Sequence, residues 1–203
     1  MENIHLIGKS IIDFNTSAVN ANGEIVDNFN FKTATTGKAA LLFFYPLDFT
    51  FVCPSELIAL DNRMAEFNKR NIQVFSVSVD SHFSHSAWRK TPINQGGIGE
   101  VGYTMLADLD HNIAKSYGAL DAGGKVALRA SILIDANGII QSQLINNLPI
   151  GRDIDEIIRL FDAIEFHANY GEVCPAGWQK GKSGMRADAS GVAKYLAENA
   201  EAL

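Results

Sequence analysis

At 203 residues, with 47% apolar and 20% charged side chains, the chain can bury one full hydrophobic core and is too ordinary in composition to be disordered or fibrous. A formal charge of -6 argues against binding to phosphate backbones, where affinity comes from Lys and Arg displacing counterions, and no apolar run approaches the roughly 20 residues of a membrane span. Two cysteines make no disulfide scaffold in a chain of this length, so any pairing between them is expected to be chemical.

Met1 to Phe14 lacks a basic segment leading into an apolar run, the pattern of a secretory signal, and the expected location is cytoplasmic. Asn22-Gly23, between Ala18-Val19 and Ile25-Val26, predicts a hairpin with a tight type I′ turn. Ala39 to Tyr45 and Ile72 to Val79 are continuous apolar runs, predicted as strands covered on both faces. Between them, from Pro54 onward, Leu57, Leu60, Met64 and Phe67 recur at helical spacing, which gives a βαβ unit.

Ser81 is placed to cap a second helix running through Trp88 and Lys90; a glycine-rich loop at Gly96–Gly99 and a short helix at about Asp110 to Tyr117 follow. Val126 to Ile134 and Ile139 to Ile145 read as two strands joined at Asn137-Gly138, an antiparallel pair that makes the sheet mixed. Asp153 to Phe166 repeats Ile154, Ile157, Ile158, Phe161 and Ile164 on one helical face. Beyond Tyr170-Gly171 the sequence turns rich in Gly, Lys and Ser, with a last helical stretch from Gly191 to Ala200. The expected organisation is an α/β domain over residues 1–170 and a carboxy-terminal arm over 171–203.

Cys53 lies where a buried strand passes into a helix, with Pro54 suited to the first turn, so its sulfur is expected beside unpaired N–H groups that favour the thiolate. An ordinary cysteine is a few per cent thiolate at pH 7, so full ionisation multiplies the reactive species only by roughly 30. Enzymic accelerations of about 10⁶ require more. Thr50, three residues earlier, offers a hydroxyl. Arg129, alone in the apolar strand VALRASILI, offers a cation, and Glu56 in the first helical turn is placed to orient it through a bidentate pair. Each has a plainer reading: Cys53 as inert core, Arg129 as a cation snorkelling from an edge strand, Thr50 as a turn hydroxyl, Glu56 as a dipole-matching acid and Pro46 as a strand terminator.

Together, Pro46-x-x-x-Thr50-x-x-Cys53 and a distant strand arginine resemble the signature of the peroxiredoxins, and FFYPLDFTFVCPSEL looks like their typical 2-Cys subgroup, which includes the alkyl hydroperoxide reductase C component. Val79-Asp80-Ser81, the Gly96-Gly97-Ile98-Gly99 loop and Glu172-Val173-Cys174-Pro175 extend the likeness over nearly the whole chain. The resemblance implies a thioredoxin-like mixed sheet flanked by helices, a hydroperoxide substrate, Cys53 as the attacking thiolate, Thr50 and Arg129 as its activators and Pro46 as a lid. It implies also that Cys174 resolves the oxidised Cys53 of a partner chain in a homodimer, assembling further into a decamer. Thioredoxin or a flavoprotein reductase would then reduce the disulfide. Peroxide-sensitive relatives pair a Gly-Gly-Leu-Gly loop with a carboxy-terminal Tyr-Phe. Here Ile98 and Tyr195-Leu196 stand at those places, which implies intermediate sensitivity.

Other readings are weaker. A dithiol oxidoreductase needs C-x-x-C, whereas Pro54-Ser55-Glu56 follows Cys53. The five histidines are scattered and His82 with His85 reads as a solvated helix face, so neither metal nor cofactor is expected. A holdase chaperone or peroxide sensor on the same scaffold is the alternative from another class.

Overall fold

A computed structural model describes residues 5–203; the first four residues of the stretch read for a signal lie outside the described residues. Seven strands, β1 (Asn15–Val19), β2 (Ile25–Asn30), β3 (Ala39–Phe44), β4 (Ile72–Ser78), β5 (Thr104–Ala107), β6 (Arg129–Ile134) and β7 (Ile140–Asn146), form one sheet in the order β2-β1-β5-β4-β3-β6-β7. The two apolar runs pair in parallel as β3 and β4, β5 joins β4 in parallel, and the remaining pairs are antiparallel. The sheet is mixed, as expected. β5 and helix α1 (Phe31–Thr35) had no sequence signal, because four or five residues are too short to show a period.

The helix predicted after Pro54 is two, α2 (Cys53–Asp61) and α3 (Met64–Lys69). Arg63 N–H bonds to Leu60 three residues back, which tightens the last turn and redirects the chain, yet Leu57, Leu60 and Phe67 are all buried as their spacing requires. Ser81 caps α4 (His82–Lys90), its hydroxyl accepting from Ser84 N–H at 3.1 Å. Both Asn-Gly pairs do turn antiparallel strands, but not as type I′ turns: Gly23 and Gly138 have φ of 85° and 76°, while neither asparagine before them is left-handed. In each loop an earlier side chain, Asn20 or Asp135, accepts the N–H groups two and four residues on and so closes a wider turn.

The chain divides into two compact units, one ending at Ile154 and one running from Asp155 to Leu203. In the first, Phe31, Phe44, Phe75, Tyr117 and Ile132 share the buried core, with Phe14 stacked on Phe31 at 4.8 Å and the short helix α5 (Asn112–Ser116) contributing Ile113 and Ala114. Each large apolar side chain so buried stabilises by about 1.5–3 kcal/mol. The second unit holds almost all of α6 (Ile154–Tyr170), whose Ile157, Ile158 and Phe161 are buried, and α7 (Ala189–Asn199), capped by Asp188 accepting from Gly191 N–H at 2.7 Å.

Candidate active site

Topology brings the first unit's polar residues to one end of the sheet. β3 leads into the loop 46–52, and the antiparallel register Phe43 to Ser131 carries Arg129, two residues further, level with Tyr45 beside that loop. β6 lies between β3 and β7, so Arg129 is on an interior strand and does not snorkel; it is 4% exposed. Pro46 is buried at the start of the loop.

Cys53 is the first residue of α2, after Val52, and is wholly buried. The N–H groups expected to serve its sulfur are fewer than the helix start suggested: Pro54 has none, and Ser55 and Glu56 both donate to the Val52 carbonyl, at 3.1 and 3.2 Å. Arg129 makes up for them. Its Nη1 donates to Cys53 Sγ at 3.4 Å and to Glu56 Oε2 at 2.7 Å, while its Nε donates to the Leu148 carbonyl at 2.6 Å. Burial opposes the charge on Arg129, but the bonds to Cys53 and Glu56 outweigh it and raise its pKa above the ordinary value.

The bidentate pair foreseen for Glu56 exists with a different arginine. Arg152 gives Nε to Glu56 Oε1 at 2.9 Å and Nη2 to Oε2 at 3.0 Å, and its backbone N–H reaches Oε1 at 2.9 Å. Its guanidinium lies 3.3 Å from the centre of the Phe43 ring, and Nη1 donates to the Ala130 carbonyl at 2.7 Å. Sequence reasoning passed over Arg152 because it stands in an aperiodic loop. Burial pushes Glu56 toward neutrality, but the Arg152 bonds and then the Arg129 charge overcome it and hold the carboxyl below its usual range. For Arg152 burial wins, lowering its pKa, though it remains a cation at neutral pH. Two guanidinium groups and one carboxylate leave one positive charge beside Sγ.

Thr50 is half-buried, and its hydroxyl donates to the Leu47 carbonyl at 2.8 Å, closing a turn. The plainer reading of this residue is therefore correct as far as it goes, and the oxygen's lone pairs remain available as acceptors. His85 corrects the sequence reading: it is not on a solvated face but fully buried, with Nδ1 2.9 Å from Asp48 and Nε2 3.2 Å from the Leu106 carbonyl. No cluster of three or more metal-ligating side chains occurs among the described residues, and no described helix is long and apolar enough to cross a membrane.

In the second unit Cys174 is a free, half-buried thiol whose Sγ faces the Ala163 carbonyl at 3.6 Å. Burial raises its pKa, with the Arg159 charge pulling the other way. Arg159 is itself fixed by Glu156, at 2.5 and 2.8 Å, and by the Trp178 carbonyl at 2.8 Å.

The AhpC/TSA family model matches residues 7–143, and the model for the C-terminal domain of 1-Cys peroxiredoxin matches residues 163–198. An alkyl hydroperoxide reductase C from Buchnera aphidicola is 49% identical over 184 residues, 91% of this chain and 92% of the relative. A chicken peroxiredoxin-1 is 43% identical, covering 95% of this chain and 96% of its own. The reduced 2-Cys peroxiredoxin of Plasmodium vivax superimposes with a TM-score of 0.91 at 49% identity, over 95% of this chain and 98% of that one.

Proposed function

The chain belongs to the AhpC/TSA family of peroxiredoxins and is a thiol-dependent peroxidase, and from that premise we propose that Cys53 attacks the hydroperoxide and Cys174 resolves the product. The observation that carries the reading is the Arg129 guanidinium shared between Cys53 Sγ and Glu56 in a site closed to bulk water. The Cys53 thiolate attacks one peroxide oxygen, the O–O bond breaks, and the departing alkoxide takes a proton as Cys53 becomes a sulfenic acid. Arg129 stabilises the charge that builds on the departing oxygen, Thr50 orients the peroxide through its free lone pairs, and buried Pro46 keeps water from the sulfur. Arg152 and Glu56 hold Arg129 in position.

Cys174, on the arm that follows Tyr170, then gives up its proton and attacks the sulfenic sulfur; the S–O bond breaks, the hydroxide leaves with a proton as water, and the product is a disulfide with Cys53 of a partner subunit in a homodimer. A relative from Plasmodium yoelii, modified at its N-terminus, forms an artifactual octamer, and further assembly of this chain, to a decamer, belongs to the same reading. A dithiol reductant, thioredoxin or a flavoprotein, restores the cycle in a cytoplasm that keeps both cysteines reduced. The relatives are named as reductases and peroxiredoxins, which does not favour the holdase alternative. One equivalent of peroxide, followed by trapping of sulfenic acid, tests the assignment. Cys174→Ser is expected to yield one trapped sulfenic acid at Cys53 and no disulfide-linked dimer, and Cys53→Ser to yield neither; peroxide consumption by Cys53→Ser at the wild-type rate overturns it.

A further inference from the structure

The loop 46–52 is fastened by a second buried cluster that the mechanism above does not use. Asp48, 6% exposed, accepts the Tyr45 hydroxyl on Oδ1 and the Ser84 hydroxyl on Oδ2, both at 2.7 Å, and Oδ2 also faces His85 Nδ1 at 2.9 Å. Its backbone N–H donates to Asp80 Oδ2 at 2.8 Å, and that oxygen accepts from Ser78 at 2.7 Å. On the far side of the ring, His85 Nε2 lies 3.2 Å from the Leu106 carbonyl.

Ser84 and His85 both belong to α4, so this helix holds one carboxylate oxygen of the loop through two adjacent side chains.

The next residue, Phe49, has φ of 53°, a left-handed conformation that a bulky side chain keeps only when its surroundings impose it. Its ring packs on Trp88, also in α4, at 5.6 Å. Helix α4 thus grips two successive loop residues, Asp48 through Ser84 and His85 and Phe49 through Trp88, and Thr50 follows directly. We propose that the hydrogen bonds from Ser84 and His85 to Asp48 are a positioning element of the peroxide reaction, clamping the loop so that Thr50 and the start of α2 meet the peroxide in register. The proposal rests on the roles given above to Cys53 and Thr50.

The experiment follows Trp88 fluorescence after mixing with peroxide in a Trp178→Phe background. Asp48→Ala and His85→Phe are expected to lower the rate of Cys53 oxidation by at least about tenfold, toward the roughly 10²-fold that an ångström of misplacement costs, with the later formation of the disulfide unchanged. Asp48→Asn, whose amide still hydrogen-bonds within the cluster, should restore most of the rate. A wild-type rate in folded Asp48→Ala, equal slowing of disulfide formation, or no rescue by Asp48→Asn overturns the proposal. Peroxide consumption by Cys53→Ser would instead overturn the reading on which it rests, so the two failures are distinguishable.

Discussion

Around Cys53 the charged neighbours Glu56, Arg129 and Arg152 are buried and linked through Glu56, whereas Cys174 is half-exposed and its Sγ makes a weak contact with the Ala163 carbonyl at 3.6 Å. The difference matches two kinds of chemistry. Attack on a small peroxide gains from donors fixed before the substrate arrives, because nothing then reorganises as charge develops. Attack on a sulfenic acid in another chain gains from a thiol that can leave its resting place. A neutral thiol suits this second role, since it leaves no unpaired charge behind in a half-buried site.

The sharpest way to break the ordered half of this contrast is Arg152→Ala. It removes the bidentate partner of a buried carboxylate, a change that costs about 3–5 kcal/mol and should appear in urea unfolding. The same cluster sets an acid limit. The Glu56 carboxyl lies below its ordinary 4.5 in the folded chain, so its contribution is fully present above that value and is lost as pH falls through the lower folded one. Glu56→Gln should make the decline in stability below about pH 4.5 shallower.

Arg129→Ala comes next. Loss of one charge-assisted donor from a preorganised site lowers rates by about 10²–10³-fold, and this loss should fall on peroxide attack and spare disulfide formation. Rapid-mixing measurement of the two phases in folded protein checks the separation. Equal slowing of both would show that the arginine serves the whole structure and not one step.

Arg129 was legible in the sequence because a lone charge in an apolar strand demands a partner, and Cys53 because strand, cysteine and proline occur in a fixed order. Arg152 was not, since nothing distinguishes an arginine just after the aperiodic stretch Leu148-Pro149-Ile150-Gly151 from a solvated one. His85 was misread for a related reason. Its i,i+3 spacing from His82 suggests a shared face, but its burial is set by Asp48, 37 residues away, and by the carbonyl of Leu106 in a strand too short to predict. Local periodicity located the elements; polar networks drawn from several segments became visible only when the sheet brought the segments together. The break between α2 and α3 belongs with these, because the apolar spacing continues across it.

The loosely held half is tested by pH. With the Cys174 thiol raised by burial, only a small thiolate fraction is present near neutrality, and the rate of disulfide formation should climb about tenfold per pH unit until that thiol titrates. Arg159→Ala removes the cation that opposes the rise and should slow this step further at pH 7, with Cys53 oxidation unchanged. A pH-independent second phase would place the limit in a movement of the arm, not in ionisation.

The smallest expected effect concerns inactivation by excess peroxide, in which a second peroxide oxidises the Cys53 sulfenic acid to sulfinic acid before Cys174 arrives. The family pattern assigns control of that race to the glycine loop and the carboxy-terminal helix. The loop depends on its glycines: Gly96 and Gly99 have φ of 85° and 73°, a side chain on Gly97 would meet the Thr91 carbonyl oxygen at 1.8 Å, and Ile98 is buried. The helix is less committed, since α7 buries no residue and Leu196, where the sensitive relatives carry Phe, is 43% exposed. An aromatic contact is worth about 1 kcal/mol beyond its area, or roughly a fivefold shift in an equilibrium. Leu196→Phe should therefore lower the peroxide concentration that inactivates half the enzyme during turnover by about fivefold, and deletion of Lys194 to Leu203 should raise it. The expected order of resistance is truncation, wild type, Leu196→Phe. If the three folded, active proteins share one inactivating concentration, the arm does not set the time Cys174 takes to reach Cys53, and the weak hold on Cys174 must be explained by something other than this race.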